Sequence, residues 1–250
     1  PDGRRVDLEV DRGCQQLKGE NFVNDGKQLV YHEQENGKRI QWHTLSVPRG
    51  GEYKLVLADG TRVWLNAASE LMYPDHFSAD QRKVVLKGEA YFEVTKDVKR
   101  PFSVVLGDME VKVLGTSFNV SAYPGVKRQT TLIEGQVAVN WHRQQVVIRP
   151  GQQAAETDEG LRVASVNVMN YVGWKEHRFV YENKLLGEVL EDLERWYDVE
   201  VFVMHDEIRN LHLTANLPRY ENMDKVLEII EYAACVKFEV KGRTVVVRRD

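Results

Sequence analysis

Cysteine is nearly absent from this 250-residue chain, which contains only Cys14 and Cys235. The two thiols are far apart, and neither lies in a Cys-x-x-Cys or Cys/His spacing that indicates a redox or metal site. Cys235 ends an apolar helical pattern and is expected to be a small core residue. The sequence leaves open whether the two cysteines pair. So few thiols also do not distinguish a cytoplasmic from a periplasmic protein.

Long apolar runs and clustered positive charge are also lacking. No stretch approaches the roughly 20 apolar residues of a membrane-spanning helix, and there is no signal peptide, so the chain as given is expected to be soluble. The net charge is -4, with acids and bases interspersed. This pattern argues against a nucleic acid partner. Arg243, Arg248 and Arg249 are therefore interpreted as a charged sheet edge that resists unwanted pairing.

Motifs that carry chemistry are missing as well. The chain has no GxGxxG, P-loop or HExxH motif. His205, Asp206 and His212 surround a predicted turn, where such residues serve backbone geometry more often than metal binding. Glu89 and Glu93 share one face of a strand and are interpreted as solvated side chains, not a glycosidase acid pair. The prediction is a protein without catalytic, cofactor-binding or metal-binding residues, and not an enzyme.

The most informative segment that is present is Asp59-Gly60-Thr61-Arg62-Val63-Trp64-Leu65-Asn66-Ala67. Its Asp-Gly pair joins the alternating run 53–57 to a second alternating run, which predicts a strand, a tight turn and a strand. Asp2-Gly3-Arg4-Arg5-Val6-Asp7-Leu8 is a fainter copy at the same relative spacing. The chain is therefore expected to begin inside a repeat.

Four further units each combine an aliphatic run, a glycine and a strand of alternating character. They are 84–94 around Gly88, 111–120 around Gly115, 132–139 around Gly135 and 146–154 around Gly151. One such unit cannot bury its own apolar side, so stacking is expected to form one core. The predicted core residues are Val63, Leu65, Ala90, Phe92, Val94, Phe118, Val120, Val137 and Val139, while Arg62, Glu89, Glu93, Asn119 and Asn140 are expected to face water. The predicted fold is mainly β, an array of stacked β-hairpins whose topology, solenoid-like or sandwich-like, stays open.

From about residue 178 the pattern changes to mixed strands and helices. The apolar spacing predicts a strand at 178–181, a helix at 185–197 capped by Asn183, strands at 199–203 and 211–215, a helix capped by Asn222, and a hairpin at 236–247. This β-α-β, β-α-β-β order predicts a small α/β domain with two helices on one face of a sheet. The predicted domains are 1–165, with 1–45 in the same array, a connector at 166–177, and 178–250. Val168, Tyr171 and Trp174 are expected to dock the domains together.

Aromatic residues suggest an alternative function. Trp42, Trp64, Tyr91, Tyr123 and Trp141 could form a platform for sugars, although large aromatics in stacked β units usually fill the core. Packing in the core is the favoured role of these rings, and a periplasmic carbohydrate-binding module is the alternative function that they leave open.

Several long motifs, in order along the chain, resemble the extracytoplasmic FecR domain of transmembrane anti-sigma regulators. They are Pro48-Arg49-Gly50-Gly51-Glu52, the Asp59–Ala67 segment, Gly88-Glu89-Ala90-Tyr91-Phe92-Glu93-Val94, Pro101-Phe102, Val113-Leu114-Gly115-Thr116-Ser117-Phe118-Asn119-Val120, Glu134-Gly135 and Pro150-Gly151-Gln152. The tail, including Glu194-Arg195-Trp196-Tyr197, resembles the C-terminal domain that accompanies FecR domains in Bacteroidota-type regulators. Its arrangement is similar to the secretin and TonB short N-terminal (STN) fold.

The resemblance implies a single-pass inner-membrane protein. Its cytoplasmic segment would bind an extracytoplasmic-function sigma factor, and its periplasmic part would sense the signalling domain of a TonB-dependent outer-membrane transporter. Because this chain opens inside a repeat and shows neither a sigma-binding helical region nor a membrane span, it is expected to be the periplasmic portion alone. Sigma binding is then expected to lie outside these residues.

The expected docking mode is addition of a strand to an unpaired edge of the C-terminal domain, where main-chain hydrogen bonds supply affinity. Two candidate edge strands follow from the pattern, 211–217 and 244–248. The predicted partner-binding residues are Leu211, Leu213, Ala215, Leu217, Thr244, Val246 and Arg248.

Overall fold

The computed structural model describes residues 17–18, 22–24, 28–32, 39–220 and 222–250. The chain divides into two compact units, one of residues 1–47 with 52–168 and one of residues 48–51 with 169–250. The early motif copy at residues 2–8 and Cys14 lie outside the described residues. The predicted class, mainly β followed by a small α/β region, is confirmed.

Sixteen strands of the first unit lie in the described residues. They are β1 Leu17–Lys18, β2 Phe22–Asn24, β3 Gln28–Tyr31, β4 Trp42–Val47, β5 Tyr53–Val56, β6 Arg62–Leu65, β7 Ser69–Pro74, β8 Arg82–Glu93, β9 Phe102–Leu106, β10 Met109–Val113, β11 Ser117–Ala122, β12 Gln129–Glu134, β13 Val137–Trp141, β14 Gln144–Ile148, β15 Gln152–Thr157 and β16 Gly160–Ser165. The Asp-Gly hairpin is confirmed, because β5 and β6 pair antiparallel with Tyr53 opposite Leu65.

The strands form two pairing networks that share β8. One has the order β1-β2-β3-β5-β6-β8-β11-β12-β15-β16, and the other has β4-β7-β8-β9-β10-β13-β14. Residues 88–93 of β8 pair in the first network, and residues 82–87 pair in the second. Neighbours are antiparallel except for β3 with β5 and β8 with β9. The long strand β8 therefore connects both sheets.

The glycines of the four later units occupy corners between these sheets. Gly88 lies inside β8, while Gly115, Gly135 and Gly151 lie in connections that pass from a strand of one sheet to a strand of the other. All four have positive φ. A Cβ on Gly88 would lie 2.7 Å from Ser69 Cα, so a side chain would not fit there. The expected hairpin turns are thus absent at these four glycines, and each of the four units turns the chain from one sheet to the other.

One core lies between the two sheets. All nine predicted core residues are buried. Phe92 stacks on Phe118 in the first sheet at 5.2 Å between ring centroids, and it contacts Phe102 of the second sheet at 6.1 Å. Of the two topologies left open by the sequence, the structure has the sandwich-like one.

The face of the first sheet that was expected to be exposed to solvent is exposed only in part. Arg62 is exposed, but Asn119 is buried, contrary to the expectation. The Asn119 and Asn66 amides donate to the two carboxylate oxygens of Glu89 at 2.9 and 2.7 Å. The alternation rule misses this network because a polar residue on the outer face can be covered by its hydrogen-bonded neighbours.

The second unit follows the predicted β-α-β, β-α-β-β order. Its elements are α1 Met169–Val172, a 3-10 turn Gly173–Glu176, β17 Arg178–Leu185, α2 Leu186–Tyr197, β18 Glu200–Val203, a 3-10 turn Asp206–Asn210, β19 His212–Pro218, α3 Met223–Ala234, β20 Val236–Lys241 and β21 Thr244–Arg249. Asn222 caps α3 as predicted, accepting a hydrogen bond from the Asp224 amide at 2.8 Å. Asn183 does not cap α2, because it lies within β17 at φ 51° and its amide donates to Thr214 Oγ1.

Two small sheets, not one, flank the helices. β17 pairs antiparallel with β19, and β18, β21 and β20 form a three-stranded sheet with β21 in the centre. Both α2 and α3 contact strands of both sheets. The expectation of two helices on one face of a single sheet is therefore wrong. The core contains Leu186, Val189, Leu190 and Leu193 from α2 and Val226, Leu227 and Ile230 from α3.

The two halves of this unit end their helices in the same way. Asp198 after α2 and Cys235 after α3 both adopt a left-handed conformation, at φ 52° and 53°. Their amides donate to the carbonyls of Glu194 and Glu231. Cys235 is exposed at this position, so its predicted place in the core is wrong.

Candidate partner-binding surface

The backbone of β19 directs alternate residues to opposite sides. Just beyond the strand, the Arg219 amide donates to the His177 carbonyl at 2.8 Å, and at the other end the Leu211 carbonyl accepts from the Leu186 amide at 2.7 Å. Since the main-chain groups of a strand alternate, the odd-numbered residues of β19 bond towards β17. The even-numbered residues direct their amides and carbonyls to the opposite edge, where no described strand pairs.

The four residues predicted on this strand face the interior. Leu213 and Leu217 are buried in the core, at 2% and 8% exposure, and Leu211 and Ala215 pack against the same core. Their side chains are therefore occupied within the domain, and their main-chain groups belong to the β17–β19 pairing. This corrects the expectation that their side chains meet a partner.

The residues that face outward on β19 are the ones between them. His212, Thr214 and Asn216 are exposed, and their amides point to the open edge. Asn216 also accepts a hydrogen bond from Arg178 Nε at 2.8 Å. The sequence contained a signal for these three residues. Apolar and polar residues alternate along 211–217, and in such a strand the polar residues lie on the exposed face.

The other predicted strand is not an edge. β21 pairs in parallel with β18 on one side and antiparallel with β20 on the other. Thr244, Val246 and Arg248 therefore lie on the central strand, and the interpretation of 244–248 as an unpaired strand is wrong. Their side chains share the sheet face with Phe202 and Glu239, the residues paired with Val246.

The edge strands of the three-stranded sheet are β18 and β20. In each of them, one main-chain amide that points away from the sheet donates a hydrogen bond to a glutamate side chain. The Val201 amide of β18 donates to Glu194 Oε1 at 2.8 Å, and the Phe238 amide of β20 donates to Glu231 Oε1 at 2.7 Å. We call Glu194 and Glu231 the edge-capping glutamates. They occupy the bonding positions that an added strand would need.

A charged cluster supports the β17–β19 sheet from α2. Asp192 accepts from Lys184 Nζ at 2.7 Å and from Arg195 at 2.5 Å. Burial tends to raise the pKa of Asp192, but the two cations and their hydrogen bonds outweigh it and lower the pKa below its usual value. The Lys184 ammonium also lies 5.1 Å from the Tyr181 ring. This cluster fixes the end of β17 to the helix.

Whether the residues considered for metal binding or catalysis, or the cations that line a cavity, could carry chemistry depends on the groups around them. Within the described ranges there is no group of three or more His, Cys, Asp and Glu residues placed to hold a metal, so His205, Asp206 and His212 do not form one. Glu93 pairs with Arg62 at 2.6 Å. A cavity of about 500 Å³ in the first unit includes Lys87, Lys127 and Arg128 in its wall, and each of these cations contacts a carboxylate.

Four of the five aromatic residues of the alternative sugar platform contact neighbouring groups, among them Tyr123, whose hydroxyl donates to the Ala67 carbonyl at 2.9 Å. Trp64 meets Tyr91 edge-on at 5.7 Å, and Lys54 lies 5.0 Å from its ring. Arg128 lies 5.4 Å from the Trp141 ring. Trp42 is 45% exposed. Cations near the Trp64 and Trp141 rings compete with the stacking that a sugar would require.

Comparisons with known proteins agree on one family. The profile described as FecR protein matches residues 43–138, and the profile described as FecR, C-terminal matches residues 178–247. Two crystal structures of a candidate anti-sigma factor from Parabacteroides distasonis ATCC 8503 are similar to this chain. Each has a TM-score of 0.78 and 26% identity, covering 83% and 84% of this chain and 99% and 100% of theirs.

Among curated proteins, none matches the chain. No helix in the described part is both long and apolar enough to cross a membrane. The two profiles cover most of both units, and the structural likeness extends over more than four-fifths of the chain. The chain belongs to the FecR family of anti-sigma factors.

Proposed function

We propose that this chain is the periplasmic signal-receiving region of a membrane-anchored anti-sigma factor. In this proposal it senses the signalling domain of a TonB-dependent outer-membrane transporter, and sigma-factor binding resides in a cytoplasmic segment of the full-length, single-pass inner-membrane protein. The family relationship supports the regulatory role. The STN-like character of the second unit belongs to the same proposal.

The observation that carries the docking site is the outward edge of β19. His212 and Thr214 present their amides and carbonyls there and Asn216 presents its amide, which is the pattern an added strand requires, while the Asn216 carbonyl accepts from Arg178 Nη2 at 3.4 Å. The remaining strand edges of the unit are less suitable. β18 and β20 carry the edge-capping glutamates, β21 is central, and the 3-10 turn before β17 packs against that strand.

A proline at His212 tests this edge directly. Proline removes the outward amide, and the position tolerates it because the strand begins there and the preceding Leu211 is extended at φ -65° and ψ 149°. We expect His212→Pro to weaken binding of a transporter signalling domain about tenfold or more, as loss of a main-chain bond and of strand register implies. Titration calorimetry with purified signalling domains gives the affinity.

His212→Ala is the matched control, because it removes the same side chain and keeps the amide. Its affinity is expected to equal that of the wild type. Equal losses in the alanine and proline variants would show that the side chain, not the edge, makes the contact. Undiminished binding by His212→Pro would exclude the β19 edge. Failure of every transporter signalling domain to bind the wild-type chain would remove the proposed partner.

A further inference from the structure

β18 has the character of a strand that would pair with another copy if nothing prevented it. It is an edge strand, and the run from Val201 to Met204 contains no charge. Phe202 and Met204 are 55% and 61% exposed. The Glu200 amide donates to the Arg243 carbonyl just before β21, and the Met204 amide donates to the Val247 carbonyl of β21. By alternation the Val201 and Val203 amides therefore face the open edge. Uncharged, exposed edge strands of this kind are sites of edge-to-edge association.

Glu194 blocks one of these amides at a cost to its own helix. It lies in the last turn of α2, where a negative charge opposes the helix dipole. Its carboxylate reaches the Val201 amide, seven residues further along the chain, at 2.8 Å. The same arrangement recurs in the second half of the unit, where Glu231 in the last turn of α3 bonds the Phe238 amide, again seven residues on. An arrangement repeated at both edges points to a role in protecting the edges.

We propose that Glu194 prevents β18 from pairing with β18 of a second copy of this chain. An antiparallel pair centred on Phe202 would place Val201 opposite Val203 of the other copy, with both amides directed across the interface. The Glu194 carboxylate occupies the position that the incoming Val203 carbonyl would take. This inference concerns β18 and does not depend on the role of β19.

The β20 edge provides an internal comparison. It carries Lys237, Glu239 and Lys241 in alternation, and lysines on an edge strand are themselves a defence against pairing. Lys237 also contacts Glu231 at 3.4 Å. Loss of Glu231 therefore leaves β20 protected by charge, whereas loss of Glu194 leaves β18 with an uncharged run.

Sedimentation velocity of the whole chain over a wide concentration range tests the proposal. Glu194→Ala is expected to show concentration-dependent association about tenfold or more stronger than that of the wild type, because both outward amides of β18 become available. Glu194→Gln keeps a side-chain oxygen acceptor and is expected to behave as the wild type. Glu231→Ala is expected to do the same. Adding Phe202→Lys to Glu194→Ala is expected to abolish the new association.

Hydrogen exchange shows whether the cap was lost and the fold kept. In Glu194→Ala the Val201 amide is expected to exchange about tenfold faster or more, while amides of Leu190 and Leu193 stay protected. If core protection also fell, Glu194→Asp would replace the alanine variant, since its shorter side chain withdraws the carboxylate from Val201 and keeps the charge.

Three outcomes would overturn the proposal. One is an uncapped Val201 amide in a chain that associates no more than the wild type. Another is association that persists in Glu194→Ala/Phe202→Lys. The third is association of Glu231→Ala without association of Glu194→Ala, which would assign the sensitive edge to β20.

Discussion

Arg82 shows how a single buried charge ties loops together in the first unit. Its side chain is fully buried, and its guanidinium donates to Asp59 Oδ2 at 2.8 Å and to the carbonyls of Thr95 and Arg100 at 2.7 and 2.9 Å. Asp59 in turn accepts from the Thr61 amide. The turn of the Asp-Gly hairpin is thus fixed to the loop after β8.

Arg82→Met is expected to destabilise the first unit by about 3–5 kcal/mol, because it leaves the Asp59 carboxylate buried without its cation and several carbonyls without donors. Urea denaturation followed by tryptophan fluorescence measures the loss. Arg62→Met is the comparison, since the Arg62–Glu93 pair is largely exposed on the arginine side. Its expected cost is about 0–1 kcal/mol, and similar losses in the two variants would contradict the role given to burial.

Asp192 gives the second unit a pH dependence. Its pKa is lowered in the folded state, since Lys184 and Arg195 outweigh the effect of burial. A lowered folded pKa contributes stability that is present above the unfolded value of about 3.9 and is lost as the pH falls through the folded pKa. The contribution of Asp192 is therefore complete at neutral pH and absent in strong acid.

Asp192→Asn is expected to destabilise the second unit by about 1–3 kcal/mol at pH 7. The difference between wild type and variant is expected to shrink as the pH falls below about 4. The difference is obtained from denaturation curves recorded at several pH values, in which hydrogen exchange of residues 178–250 reports the unfolding of the second unit. A gap that is constant with pH would mean that packing, and not charge, accounts for the loss.

At the scale of elements, the sequence predicted the positions of strands and helices better than it predicted which strands pair with each other. The alternation around Val63 and Phe92 and the apolar spacing of α2 are local signals, and the structure confirms them. The central position of β21 was not predictable in this way, because its parallel pairing with β18 joins residues more than forty positions apart. The odd-numbered residues of 211–217 are apolar, and this apolar character places their side chains in or against the core and not on the exposed face of the strand.

The role of the corner glycines also depends on tertiary contacts that the local sequence does not reveal. A glycine between two β-like runs signals a turn, but the local pattern does not say whether the chain returns along the same sheet or enters the other. At Gly115 a Cβ would lie 2.6 Å from Lys96 Cα, a contact with a residue distant in sequence. Only the packed structure reveals that constraint.

Gly88→Ala is expected to destabilise the first unit by roughly 2–5 kcal/mol, since the residue has φ +91° and its new Cβ would overlap Ser69. Gly125→Ala is the matched control, because its φ is +78° and nothing lies within 4 Å of the added atom. Backbone strain alone gives an expected cost of about 1 kcal/mol there. Equal midpoints for the two variants in thermal unfolding would show that the close approach at Ser69 contributes nothing.

At the scale of the whole molecule, the residues that the structure describes form two separate hydrophobic cores. The first includes Phe92, Phe118 and Leu132, and the second includes Leu190 and Ile230. Composition and the change of pattern near residue 178 indicated two domains, and family resemblance indicated their role. The edge proposed for docking could be identified only from the hydrogen-bond pattern of the folded unit, because the open side of β19 depends on which strands pair and not on the character of its own residues.

Two cores imply that each unit loses stability on its own. Leu190→Ala removes a side chain that is 1% exposed in the second core, and it is expected to cost about 2–5 kcal/mol of that unit's stability. Hydrogen exchange with mass spectrometry is expected to show faster exchange across 178–250 and unchanged exchange in β8, β11 and β12. Leu132→Ala in the first core is expected to give the reverse pattern. Loss of protection in both units from either substitution would show that the chain unfolds as one cooperative body.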